Sequence, residues 1–149
     1  MRVRVAIPQD VSRIRALIDC YVANGTLLPR TEEFIEANIE DFVVAVEGGG
    51  TVVGCAHLDE YSPSVAELRS LAVAPGWQGA GIGRQLVDGV ERLARKRDHA
   101  LLFAVSNDEA FFARFGYARE HVPELDLERS EVSKYKGVYA KPLARSAAA

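Results

Sequence analysis

Cysteine is scarce in this chain: only Cys20 and Cys55 occur, far apart and outside any CxxC pair. Two isolated thiols build neither a disulfide framework nor a zinc site, so both read as free side chains in a reducing compartment. A surplus of positive charge is also lacking. The 18 Lys and Arg against 21 Asp and Glu leave a formal net charge of -3, which excludes a general polyanion surface, because nucleic-acid affinity needs clustered cations. No apolar run is long enough to cross a bilayer. The opening MRVRVAIPQD alternates like a strand where a secretory leader would carry a continuous apolar block. The expectation is a cytoplasmic protein with neither membrane nor nucleic acid as partner. His57, His99 and His121 show no ligand spacing, so no metal is expected.

What is present is a globular composition, 48% hydrophobic and 26% charged over 149 residues. That length fills one core. The expectation is a single domain over residues 1–143 with a frayed tail over 144–149. Val3, Val5 and Ile7 share one face of an opening strand stopped by Pro8. Asp10 then caps a helix whose stripe is Val11, Ile14, Leu17, Ile18, Tyr21 and Val22, closed by Gly25. Thr31 caps a second helix with Glu32 and Glu33 in its first turn and Phe34, Ile35 and Ile39 inward. DFVVAVEGGGTVVGCAHLDEY is a β-hairpin pattern, and VAELRSLAV is a further strand. Beyond Gly83, Leu86, Val87, Val90, Leu93 and Ala94 recur at helical spacing. ALLFAVS reads as a strand. NDEAFFARFGY reads as a short helix capped by Ser106 or Asn107, and YAREHV and VSKYKGVYAKPL as the last two strands. The order predicts an α/β class, a mixed α+β sheet with helices on both faces.

The segment APGWQGAGIGRQL joins a strand to a helix and carries Gly79, Gly81 and Gly83 ahead of Arg84. A helix start with free N–H groups and little side-chain bulk is an anion cradle, because donors and dipole point at the ligand together. Glycine permits positive φ and lets phosphate oxygens approach the main chain, while Arg84 adds a charge. The G-x-G-x-G spacing fits neither the dinucleotide fingerprint nor the P-loop.

LRSLAVAPGWQGAGIGRQLV resembles the acetyl-CoA signature of the GNAT N-acetyltransferases: an apolar strand, V-x-P, then Q/R-x-x-G-x-G/A. FFARFGY is similar to that family's later aromatic element. The resemblance implies the GNAT acyl-CoA N-acyltransferase fold, acetyl-CoA as co-substrate and a splayed sheet holding the pantetheine arm. It implies that the main chain of Leu71, Ala72 and Val73 binds pantetheine and acetyl. Gln78, Gly79, Ala80, Gly81, Ile82, Gly83 and Arg84 bind the pyrophosphate, and Asn107, Phe111, Phe112 and Phe115 flank the outer arm. A homodimer, common in the family, is a further expectation.

Acetyl transfer to an amine needs a base, an oxyanion donor and a proton for the leaving thiolate. The resemblance implies a backbone N–H near Ala72 or Val73 as the oxyanion donor. Glu67 is the candidate base, on one strand face with Arg69 and Leu71, and acts through water; a surface carboxylate paired with Arg69 is the alternative reading. Cys55 and His57 also share a face, a pattern of nucleophilic catalysis or of ordinary packing. Many relatives place a tyrosine where this chain has Phe112. The proton donor is then Ser106, Tyr135, Tyr139 or water, or the thiolate leaves unassisted. Tyr117 fills a core position.

The LLPR connector, the ELRSLAV strand and the FF pair resemble short N-acetylglutamate synthase-type amino-acid acetyltransferases of arginine biosynthesis. That resemblance implies L-glutamate as acceptor, and two carboxylates call for cations, with Arg giving the bidentate fit. Arg30 and Arg69 are the candidates, with Lys134 and Lys136 as further contacts from the tail. Two other functions are open: an acetyltransferase for another amine (polyamine, antibiotic, toxin or protein N-terminus), and a non-catalytic acetyl-CoA-binding regulator.

Overall fold

A computed structural model describes residues 1–128 and 137–144. The elements run β1 (Arg2–Val5), α1 (Val11–Asp19), α2 (Glu32–Ala37), β2 (Phe42–Val46), β3 (Val52–Glu60), β4 (Val65–Val73) and α3 (Ile82–Lys96). They continue with β5 (Leu101–Ser106), α4 (Glu109–Ala113), β6 (Ala118–Arg119), α5 (Pro123–Glu128) and β7 (Gly137–Pro142). The seven strands form one sheet in the order β1-β2-β3-β4-β5-β7-β6. Pairing is antiparallel for β1 with β2, β2 with β3 and β5 with β7, and parallel for β4 with β5. A parallel pair needs a long crossover, which α3 supplies. The mixed sheet is the one the sequence predicts.

Two compact units emerge, Met1–Leu58 with Ser70–Val90, and Asp59–Arg69 with the chain from Glu91 onward. In the first unit every residue of β2 is buried, as its β-branched run requires. Ile14, Leu17 and Ile18 of α1 are buried with Ile35 of α2, each contributing about 2 kcal/mol of transfer free energy. Thr31 caps α2 as predicted, its hydroxyl accepting from the Phe34 N–H at 3.0 Å. At Gly54 a Cβ would stand 2.8 Å from Leu86 Cδ1 and 3.2 Å from Ile82 Cγ2, so the missing side chain lets α3 settle on β3.

Three expectations in this unit are corrected. The opening strand ends at Val5, short of the expected Ile7, and Val5 and Ile7 are 43% and 46% exposed at the outermost strand of the sheet. Asp10 makes no side-chain cap on α1; its carboxylate turns back to accept from the Ile7 N–H at 2.9 Å and from Arg4 Nη1 at 2.7 Å. Helix α1 stops at Asp19, leaving Tyr21 and Val22 in the following turns.

The second unit packs Val65, Phe103, Val122, Leu125 and Ala140 into a core, with Tyr61 against it. Asp108, not Ser106 or Asn107, caps α4, accepting from the Phe111 N–H at 3.1 Å. The Ser106 hydroxyl instead accepts from the Asp108 N–H at 2.9 Å, which fixes the turn that presents the cap. Of YAREHV only Ala118–Arg119 is strand. The unforeseen α5 follows, opened by Pro123, whose missing N–H costs nothing in a first turn. Lys134, Tyr135 and Lys136 lie outside the described residues, as does the tail from residue 145.

Candidate functional site

In the first unit, β4 runs into the glycine segment and then into α3. Gly76, Gly79 and Gly81 have φ of 91°, 84° and 80°, and a Cβ at any of them would meet nothing within 4 Å. These glycines therefore serve backbone conformation and access, not close packing. Gly83 departs from the expectation: it lies inside the first turn of α3, which starts at Ile82. Gln85 N–H donates to the Gly81 carbonyl at 3.2 Å, so the amides of Ile82, Gly83 and Arg84 precede the helical ladder and carry the helix's partial positive charge. Ile82 itself is buried, and Arg84 is exposed. Free amides at a helix start beside open glycines are a geometry suited to an anion carrying several oxygens.

Tyr21 holds the loop. Its hydroxyl donates to the Val73 carbonyl and accepts from the Gln78 side-chain amide. Helical spacing places Tyr21 on an apolar stripe; its phenolic oxygen at the end of that stripe is the one available signal in the sequence. In the same unit Ser70 adopts φ 53° inside β4, a left-handed geometry that costs a non-glycine residue about 1–2 kcal/mol. Beyond it the Ala74 N–H donates to the Val53 carbonyl of β3 at 2.8 Å. Successive amides of a strand point to opposite edges, so the Leu71 and Val73 amides face away from β3. Of the two expected oxyanion donors, only Val73 has this direction.

Cys55 is fully buried, and burial pushes its thiol up to about 12. A thiol so held is no nucleophile near neutrality. His57 is stacked on Phe42 with ring centroids 4.4 Å apart, and Phe34 meets it edge-on at 5.7 Å. The pair is core packing. Arg30 rests its guanidinium 5.0 Å above the Phe34 ring, within the range of a cation–π contact.

The second unit holds the candidate base. Glu67 is 2% exposed, and the Tyr61 hydroxyl donates to its Oε1 at 2.7 Å. Arg69 Nε stands 3.9 Å from the same oxygen, while Arg69 Nη1 pairs with Asp59 Oδ2 at 3.0 Å. Glu67 is thus a buried carboxylate in a network, not a surface one, and Arg69 is engaged by two carboxylates. Tyr61 and Asp59 escaped the sequence reading, because only the β3–β4 hairpin brings them to β4. Ser106 is half-buried, and its accepting role toward Asp108 leaves the hydroxyl proton available for donation. Asn107 is exposed. Phe111 meets Phe115 edge-on at 4.8 Å, whereas Phe112 is buried and stacked on Tyr139 at 6.3 Å. Among the described residues no group of three or more His, Cys, Asp or Glu is arranged to hold a metal, and no helix is long and apolar enough to cross a membrane.

The Acetyltransferase (GNAT) family model matches residues 12–117. The chain belongs to the GNAT acetyltransferase family. An uncharacterised N-acetyltransferase of Chlorobaculum tepidum is 35% identical over 125 residues, 82% of this chain and 80% of that one. An amino-acid acetyltransferase of Mycobacterium tuberculosis is 34% identical over 117 residues, covering 77% of this GNAT chain and 67% of the relative. One from Ralstonia nicotianae is 35% identical over 135 residues, but this chain spans only 30% of its length. Among solved structures, a Mycobacterium tuberculosis protein in complex with CoA superposes with a TM-score of 0.86 at 26% identity, over 97% of this chain and 100% of that one. The N-acetylglutamate synthase of Neisseria gonorrhoeae, complexed with coenzyme A and N-acetyl-glutamate, gives 0.84 at 28% identity, over 96% of this chain and 35% of that one.

Proposed function

We propose that this GNAT enzyme transfers the acetyl group of acetyl-CoA directly to the α-amino group of L-glutamate, the entry reaction of an arginine-biosynthetic route. The observation that carries the acetyl-CoA part is the open, positive-φ start of α3 at Gly79 and Gly81. The amino-acid part is supported by the relatives named amino-acid acetyltransferase and by Arg30, half-buried and steadied over Phe34.

In this reading the amides of residues 78–84 and the Arg84 charge hold the pyrophosphate, and the Leu71–Val73 main chain aligns the thioester. Asn107, Phe111 and Phe115 border the outer arm; Phe112, buried, meets the Phe111 ring edge-on at 5.0 Å. Glu67 removes a proton from the acceptor ammonium through a water, since an α-amino group titrates near ~8 and reacts only when neutral. The amine lone pair then attacks the thioester carbonyl carbon, and the Val73 N–H receives the negative charge that develops on its oxygen. The C–N bond forms and the C–S bond breaks. Glu67 has by then released its first proton to bulk water and takes the second by the same path, while the departing thiolate receives a proton through the Ser106 hydroxyl, which is reprotonated from solvent. Arg30 pairs with an acceptor carboxylate, and Arg69 and Lys134 add positive charge to the same ligand.

The test is release of free CoA thiol with L-glutamate against a panel of other amines. Dependence on L-glutamate supports the reading. Turnover only with other amines makes the chain a GNAT enzyme of different acceptor, and tight acetyl-CoA binding without turnover makes it a regulator. In an active enzyme Arg30→Ala should raise the acceptor KM at least tenfold with little change in that of acetyl-CoA. Unchanged acceptor kinetics would remove Arg30 from the site.

A further inference from the structure

Within the first unit, the Tyr21 hydroxyl joins two stretches of chain that a tight turn separates. The chain leaves β4 through Ala74, Pro75, Gly76 and Trp77, and the Trp77 N–H donates to the Ala74 carbonyl at 3.0 Å. Proline in the second place and Gly76 at φ 91° in the third make this a type II turn. Val73 and Gln78 stand on its two arms. Beyond Gln78 come Gly79 and Gly81, both at positive φ with nothing within 4 Å of a Cβ, and glycine has more backbone freedom to lose on ordering than any other residue. Tyr21 bridges the arms: its hydroxyl donates to the Val73 carbonyl and accepts from the Gln78 side-chain amide. Its own backbone is anchored, the N–H donating to the Ile18 carbonyl at 2.9 Å and the carbonyl accepting from the Leu27 N–H at 3.1 Å. The hydroxyl is therefore delivered from chain already ordered by the end of α1.

We infer that Tyr21 is a positioning residue for acetyl-CoA, acting through Val73 and Gln78 to order the glycine segment before the cofactor arrives. This rests on the reading of residues 78–84 as the pyrophosphate cradle, but not on the identity of the acceptor. In that reading the Val73 main chain meets the thioester end of the ligand, and the amides from Gln78 onward meet its diphosphate. One molecule has to satisfy both stretches, so their relative placement enters its affinity. A segment ordered beforehand binds without the entropy cost of ordering it at the moment of binding. Without the hydroxyl the type II turn remains, but the residues after it sample more conformations and the cofactor has to order them. A Tyr21 that only holds α1 to β4 would change stability and leave affinity alone.

The experiment is Tyr21→Phe, which keeps the ring and removes only the hydroxyl, with CoA affinity measured by calorimetry on the full chain. The expected result is a CoA Kd raised about tenfold, the effect of losing a hydrogen-bonded tie of ordinary strength. Gln78→Leu, at an exposed position, should raise it about threefold and add nothing further in the Tyr21→Phe background. Independent, additive losses overturn the clamp. In turnover with L-glutamate, the KM for acetyl-CoA should rise with the CoA Kd while the acceptor KM stays within about twofold. Gly81→Asp tests the cradle itself: aspartate tolerates the left-handed backbone and brings negative charge to the place of the diphosphate, so CoA binding should be lost. If Gly81→Asp binds CoA as the parent does, the cradle reading fails and the role of Tyr21 with it. If Gly81→Asp loses CoA while Tyr21→Phe and Gln78→Leu keep the parent Kd, Tyr21 alone is overturned. A melting temperature lowered in Tyr21→Phe with an unchanged Kd gives the hydroxyl a role in stability only and overturns the proposal. Tighter binding overturns it too, because the hydroxyl would then compete with the cofactor for the Val73 carbonyl. Should Tyr21→Phe fail to fold, Gln78→Leu decides by the same Kd. If L-glutamate is not turned over, the acceptor reading fails and the CoA Kd alone decides for or against Tyr21.

Discussion

Lys141 Nζ of β7 lies 3.0 Å from Oε1 and 3.2 Å from Oε2 of Glu91, a carboxylate on α3 that is only 3% exposed. Tyr117 donates its hydroxyl to Oε2 at 2.8 Å, and Arg95 approaches Oε1 at 3.4 Å. One buried charge thus ties the last strand and the aromatic segment to the crossover helix. Breaking a buried pair costs more than forming it gains, because the remaining partners stay desolvated. Glu91→Gln should lose about 2 kcal/mol, read as a melting temperature lowered by about 4–8 °C. Adding Lys141→Met should cost less than the two separate losses. Strict additivity would mean that the two side chains do not act as a pair.

Gly54→Ala tests the contact between α3 and β3. The new methyl meets Leu86 Cδ1 and Ile82 Cγ2, and the Ala72 carbonyl oxygen at 3.3 Å gives it no room on the other side. Overpacking of this kind costs about 1–3 kcal/mol. Because the displaced turn is the one that starts the glycine cradle, the KM for acetyl-CoA should rise together with the stability loss. A variant with wild-type stability and KM would show that α3 is not seated by this glycine.

The acid limb of stability has a named contributor in Asp10. Burial pushes its carboxyl up, but the hydrogen bond from Arg4, the Ile7 N–H and the Arg4 charge outweigh that and leave it below the ordinary 3.8. A carboxyl with a lowered folded-state value contributes stability that is fully present above its unfolded value and lost as pH falls through the folded one. The loss therefore falls below about pH 4. Asp10→Asn should be less stable than the parent at pH 7, and the gap should close toward pH 2 in urea titrations. A gap independent of pH would exclude the ion pair as its cause.

Cys55 separates direct transfer from an acetyl-cysteine route. With its thiol raised by burial to about 12, the thiolate fraction at pH 8 is on the order of one in ten thousand. Iodoacetamide should label the exposed Cys20 in the folded protein and spare Cys55. Cys55→Ala should keep most of its kcat. A loss of a hundredfold or more in a folded variant would restore the nucleophile.

The sequence by itself determined the order of strands and helices as far as β6, the mixed sheet and the position of the glycine turns, because periodicity, caps and positive-φ turns are local properties carried by neighbouring residues. The Thr31 cap and the turns at Gly79 and Gly81 were legible for that reason. It also placed Glu67 on the right strand. Local pattern failed where an alternative partner competed: Asp10 turned back to Arg4 and Ile7, and α5 formed beside a strand that shrank to Ala118–Arg119. What only the tertiary structure decided is which side chains meet across elements. The hairpin carries Tyr61 to Glu67, the turn after α1 delivers the Tyr21 hydroxyl to Val73, and β7 sends Lys141 to Glu91. Each joins residues with no periodic relation in the chain. The reason is physical: a hydrogen bond depends on a direction and a few ångströms, and those are set by how the sheet and its helices pack.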